Sequence, residues 1–111
     1  MMTVTDKYGL NEIELENIIS VFKENAKIDK VVLFGSRAIG NYSTGSDIDI
    51  SISGRDLLLN DVLDLSIKLD EFDFPYKFDI LIYNDIKEKA LVEHIDRVGV
   101  VIYSRYSFPD K

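Results

Sequence analysis

Hydrophobic residues recur along this chain with two different periods. From Asn11 to Lys27, the residues Ile13, Leu15, Ile18, Ile19 and Phe22 follow helical spacing. Asn11 with Glu14 three residues later has the form of a capping box, which starts a helix. Lys30 to Phe34, KVVLF, is short, apolar and β-branched, and predicts a strand covered on both faces. Gly35-Ser36 ends it, Arg37-Ala38-Ile39 predicts a single helical turn, and Gly40 to Ser46 is a loop by composition. Asp47 to Ser53 then alternates strictly. Ile48, Ile50 and Ile52 share one strand face, and Asp47, Asp49, Ser51 and Ser53 share the other.

Helical spacing returns from Asp56 to Phe72, with Leu59, Val62, Leu63, Ile67 and Leu69 as the expected inward side. Tyr76 to Tyr83, YKFDILIY, predicts a third strand whose apolar run is broken at Asp79. Asn84-Asp85 is expected to cap a third helix, Ile86 to Val98, with Ile86, Ala90, Leu91, Ile95 and Val98 inward and Gly99 as its stop. Val100 to Tyr103 predicts a last short strand, and the tail from Ser104 to Lys111 is expected to fray. The order α, β, β, α, β, α, β predicts an α/β (α+β) fold with helices packed on a small mixed β-sheet. The connection from Phe34 to Asp47 is too short for a full crossover helix, which leaves an antiparallel pairing of the first two strands open.

At 111 residues, without a Pro-rich linker or a repeat, the chain is expected to form one domain, 1–111. The absence of cysteine excludes disulfides and thiolate metal sites and suits a reducing, cytoplasmic setting. The N-terminus lacks the basic and apolar regions of a secretory signal. No apolar stretch approaches the ~20 residues that span a bilayer, so no membrane role is expected. A formal net charge of −7 argues against strong non-specific binding of nucleic acid.

Against that acidic background, two carboxylates one residue apart on a strand face call for a reason. Left unneutralised, Asp47 and Asp49 repel, and a hard cation relieves the repulsion. Oxygen ligands are what Mg²⁺ prefers. Asp79 interrupts an apolar strand, where a charge is costly to bury. If that strand lies beside Asp47–Ser53, Asp79 completes a three-carboxylate cluster. Gly35 lets backbone approach a phosphate without an intervening Cβ. Ser36 offers a hydroxyl and an N–H at the start of a helical turn, and Arg37 offers a charged contact to phosphate.

Taken singly, each feature has a plainer account. An isolated D-x-D is commonly a solvated strand face, Gly35-Ser36 an ordinary turn, and Arg37 a surface cation. His94, the only histidine, has no motif around it and is read as packing or facing solvent. The run Asp70-Glu71-Phe72-Asp73 is read as a solvated helix end.

Gly35-Ser36, ten residues, then Asp47-Ile48-Asp49 resembles the signature of the DNA polymerase β-type nucleotidyltransferase superfamily. The wording GSRAIG…GSDIDI is similar to that of its minimal members, the MNT or MntA-like group, over about Val31 to Tyr103. Ile39 stands where many members carry a second arginine. The resemblance implies a polymerase β palm-like nucleotidyltransferase fold and transfer of AMP from ATP to an acceptor hydroxyl. It implies Mg²⁺, as two ions, on Asp47, Asp49 and Asp79, with Asp79 nearest the acceptor. Gly35, Ser36, Arg37 and Ser46 are the expected nucleotide contacts. It further implies a HEPN-domain protein as partner, in a toxin–antitoxin pair where the nucleotidyltransferase is the antitoxin.

Three other readings compete. One is an MNT-fold antitoxin or scaffold that binds its partner without catalysis. Another is a nucleotidyltransferase acting on a small molecule such as an antibiotic. The third is a D-x-D glycosyltransferase, which leaves Gly35-Ser36 unexplained.

Overall fold

The structure, a computed structural model, describes residues 7–43 and 45–106. The expected fraying of the tail falls, beyond Tyr106, outside the described residues. Helix α1 (Glu12–Lys23) starts where the sequence places its cap. The Glu14 N–H donates to Asn11 Oδ1 at 2.8 Å, and the Asn11 N–H donates to Glu14 Oε1 at 3.1 Å. It ends before Lys27 and turns Ile18, Val21 and Phe22 inward, leaving Ile13 69% exposed.

Strand β1 (Ile28–Phe34) is followed by the short helix α2 (Ser36–Ile39), then strand β2 (Ile48–Gly54). Helix α3 (Leu59–Asp70) and strand β3 (Phe78–Ile82) come next, then helix α4 (Lys89–Val98) and strand β4 (Val100–Ser104). The four strands lie in the order β3-β2-β1-β4. β1 is antiparallel to both β2 and β4, and β2 is parallel to β3. The sheet is therefore mixed, and the first two strands are antiparallel neighbours, which their short connection allows.

Each face of the sheet has its own core. Val31, Leu33, Ile48, Ile50 and Ile52 pack with Ile18 and Phe22 of α1 and Leu65 and Leu69 of α3. On the opposite face Val32 and Phe34 pack with Ile95 of α4, flanked by Leu81, Tyr83, Ile86 and Leu91. This explains the continuous apolar run of β1, which is covered on both sides. It also changes the polar face of β2. Ser51 lies between Val32 and Leu81 in register and is fully buried, and its Oγ finds no partner among the described residues.

Two helices depart from the sequence pattern. On α3, the expected inward residues Leu59, Leu63 and Ile67 are 68%, 51% and 60% exposed, while Leu65 and Leu69 are buried. A polar anchor sets this rotation. The Asp61 carboxylate accepts the Leu58 N–H at 2.8 Å and the Asn25 side-chain amide at 3.1 Å, and pairs with Lys27 Nζ at 2.7 Å. These bonds, the one from Lys27 foremost, lower the Asp61 carboxyl from 3.8 to about 2. They hold the start of α3 against the turn between α1 and β1, whatever its hydrophobic stripe prefers.

The third long helix starts at Lys89 rather than Ile86. Asn84 and Asp85 belong to a 3-10 turn, Tyr83–Asp85, and Ile86 is extended (φ −73°, ψ 125°), which breaks the helix before it begins. Ile86 packs against the α4-side core from that extended position, and Ala90 is exposed.

The burial pattern predicts that two aliphatic positions respond oppositely to truncation. Ile50→Ala, at a fully buried site, is expected to cost about 2–5 kcal/mol in equilibrium urea unfolding. Leu63→Ala is expected to stay within about 0.5 kcal/mol of wild type. Equal losses at the two positions would place the inward side of α3 where its sequence stripe, not the Asp61 anchor, puts it.

Candidate active site

The register of β2 with β3 places the acids. Asp49 is the direct partner of Asp79 across parallel strands, so the two side chains leave the same sheet face. Asp47 lies two residues upstream, just before β2 begins. Asp49 is half-buried, whereas Asp47 and Asp79 are exposed, and Asp79 is on an edge strand. Burial, and after it the charges of Asp79 and then Asp47, push the Asp49 carboxyl above its ordinary value of 3.8. His94 partly offsets that push.

Gly35 and Ser36 border the same carboxylate. Gly35 has φ 78° and ψ −157°, a conformation essentially reserved for glycine. A Cβ on it would run into the Asp49 carboxylate. The glycine is thus needed by the acid as well as by the turn. Ser36 is half-exposed at the first position of α2, and its hydroxyl has no hydrogen-bond partner among the described residues.

Arg37, the expected phosphate contact, is only 2% exposed. Its Nε and Nη2 donate to the Ser46 carbonyl at 3.1 and 2.9 Å, and its Nη1 donates to the Tyr8 carbonyl at 3.0 Å. The guanidinium lies over the rings of Tyr42 and Tyr76, at 5.4 and 4.7 Å from their centroids. It is directed into the loop rather than toward a ligand. Ser46 is likewise used by the loop: its Oγ accepts the Ser43 N–H at 2.9 Å.

His94 packs, as expected, but it does so beside the acids. Its ring meets Phe34 edge to face, with centroids 6.3 Å apart at 81°, and Phe34 is the β1 partner of Asp49. No local motif signals this, because the proximity arises from where α4 crosses the sheet.

Asp49 and Asp79 are paired where β2 and β3 begin, with Asp47 just upstream and the Gly35-Ser36 turn against Asp49. A family model described as "Polymerase beta, Nucleotidyltransferase" matches residues 16–107. The chain belongs to this family.

The nucleotidyltransferase is similar to a protein of Methanocaldococcus jannaschii named "Putative protein adenylyltransferase MJ0141". The two are 30% identical over an alignment of 100 positions that covers 81% of this chain and 100% of the relative. Among solved structures, one chain of a toxin-antitoxin crystal structure with AMP-PNP superposes with a TM-score of 0.69. It is 24% identical and is matched over 83% of this chain and 74% of its own length. One chain of a complex between a tri-AMPylated HEPN toxin of Shewanella oneidensis and an MNT antitoxin gives a TM-score of 0.63 at 21% identity, matched over 84% of this chain and 71% of its own length. These two likenesses establish a shared fold.

The donor set of the nucleotidyltransferase suits a hard divalent cation, since all three acids offer oxygen alone. Among the described residues, no three acids or imidazoles stand close enough to hold a metal ion by themselves. Also among them, no helix is long and apolar enough to cross a membrane.

The raised Asp49 carboxyl fixes a sign for pH dependence. Folding favours the protonated acid, so without divalent cation this group costs stability as pH rises through its titration. Asp49→Asn is therefore expected to melt above wild type at neutral pH while losing nucleotidyl transfer. The gap should close on going from about pH 8 to about pH 4 in thermal melts with EDTA. A variant that melts below wild type throughout would contradict the repulsion.

Proposed function

We propose that the protein transfers AMP from ATP to a hydroxyl of a partner protein and releases pyrophosphate. The observation that carries this reading is the pairing of Asp49 with Asp79 across parallel strands, with the Gly35-Ser36 turn against Asp49. Asp47, Asp49 and Asp79 would hold Mg²⁺, in two ions, which supplies positive charge to the triphosphate and to the departing pyrophosphate. Gly35 admits the triphosphate close to the backbone, and the Ser36 hydroxyl donates to it. Asp79, exposed on the edge strand, faces the incoming hydroxyl and takes its proton as the oxygen attacks the α-phosphorus. The bond from the α-phosphorus to the bridging oxygen breaks, and pyrophosphate leaves.

A protein acceptor is supported by the name of the Methanocaldococcus relative and by the AMPylated toxin in the complex of like fold. A HEPN-domain protein is the partner in this reading, in a cytoplasmic toxin–antitoxin pair. The charge of −7 disfavours a bare nucleic acid as acceptor. One observation favours the alternative of a binding antitoxin without catalysis: Ile39, where many members carry arginine, is 52% exposed and offers no charge.

Incubation with labelled ATP, Mg²⁺ and a HEPN-domain protein encoded beside this chain separates these readings. The expected result is AMP added to the partner, seen by mass spectrometry and lost with Asp47→Ala. A partner that stays unmodified, yet is neutralised equally by wild type and Asp47→Ala, overturns the enzymatic reading. Label found only on a small molecule overturns the protein acceptor.

A further inference from the structure

The contacts of Arg37 join segments far apart in sequence, and two of them lead directly into the acids. Its Nε and Nη2 converge on the carbonyl of Ser46, the residue before Asp47. Its guanidinium lies on the ring of Tyr76, three residues before Asp79. Between these points the Ile48 N–H donates to the Lys77 carbonyl at 2.8 Å, the first rung joining the two lead-in segments. From behind, Nη1 holds the Tyr8 carbonyl. Gly9 (φ 77°) lies so close that a Cβ there would strike Arg37 Nη1 and the Tyr42 ring. Tyr76 is itself tied to α1, its hydroxyl donating to the Glu14 carboxylate at 3.1–3.2 Å. A guanidinium taken out of water is tolerated only where its donors are matched and its planar faces covered. Three of its N–H groups bond the Ser46 and Tyr8 carbonyls and its faces meet Tyr42 and Tyr76, and two of these four residues, Ser46 and Tyr76, lead into the acidic strands.

We infer that Arg37 is a positioning residue: from beneath the site, it fixes the Asp47–Asp49 segment against the Asp79 strand and does not itself touch the nucleotide. The inference rests on the reading of those three acids as metal ligands. It departs from the expectation that Arg37 binds phosphate. Lysine cannot take over the role, because a single ammonium cannot bring two coplanar donors to one carbonyl and lie flat on an aromatic ring.

The test compares wild type with Arg37→Lys and, in case that variant does not fold, with Tyr42→Leu, which removes the half-exposed ring from the guanidinium. Three quantities are read: Mn²⁺ affinity by EPR, ATP affinity in EDTA, and amide hydrogen exchange at Ile48 and Ile50. The expected result is that Mn²⁺ affinity falls and Ile48 exchange rises, each about tenfold or more. Ile50 exchange should stay unchanged, and ATP affinity in EDTA should stay within about twofold of wild type. Weakened ATP binding in EDTA with unchanged Mn²⁺ affinity would make Arg37 a phosphate ligand and overturn the inference. Ile48 and Ile50 exchange rising together with unchanged Mn²⁺ affinity would reduce Arg37 to a general stabilising residue and also overturn it. If wild type takes up no Mn²⁺, the metal reading of the acids fails. Ile48 exchange alone then decides the clamp, and an unchanged rate overturns it.

Discussion

The burial of Asp49 beside Asp79 and Asp47 is the constraint around which this site is arranged. Asp49 and Asp79 face one another across two strands, and Asp49 is drawn far enough into the sheet that its charge is disfavoured. A fold selected for stability alone would not place acids there. The sheet can carry them because its other face is densely packed. Ile48 and Ile50, the chain neighbours of Asp49, are buried against α1 and α3, and that burial holds the strand in register against the electrostatic cost.

The surroundings of the acids relieve the strain in small ways. Gly35 leaves room that any side chain would take from the Asp49 carboxylate, and His94 on α4 partly offsets the rise of that carboxyl. Arg37 contributes differently. Its charge is directed into the loop, where it is matched by carbonyls and aromatic faces rather than by the carboxylates. Among the described residues Arg37 forms no ion pair with the three acids, whose oxygen donors suit a hard divalent cation.

Much of this was readable from residues close together in the chain. The alternation of Ile48, Ile50 and Ile52 gave β2 its faces, and a lone Asp79 in an apolar run posed the condition that its strand lie beside the D-x-D pair, which the β2–β3 register meets. The Asn11–Glu14 box gave the start of α1. What escaped was decided by long-range polar contacts. The rotation of α3 depends on Asp61 meeting Lys27 and Asn25, and a hydrophobic stripe carries no trace of that. The burial of Arg37 depends on Tyr8 and Tyr76, which meet it from long separation, and its position beside Gly35-Ser36 carries no trace of them. The burial of Ser51 and the place of His94 both follow from the path of α4 across the sheet, which periodicity does not specify.

The central claim is that the acids at the start of β2 and β3 form one cation-dependent nucleotide site. A crystal structure of the protein grown with Mg²⁺ and a non-hydrolysable ATP analogue tests it most directly. The account predicts metal density touching Asp47, Asp49 and Asp79, with the triphosphate against Gly35 and Ser36 and Arg37 still bonded to the Ser46 carbonyl. A nucleotide bound elsewhere, or bound there with no metal on Asp49, would contradict it.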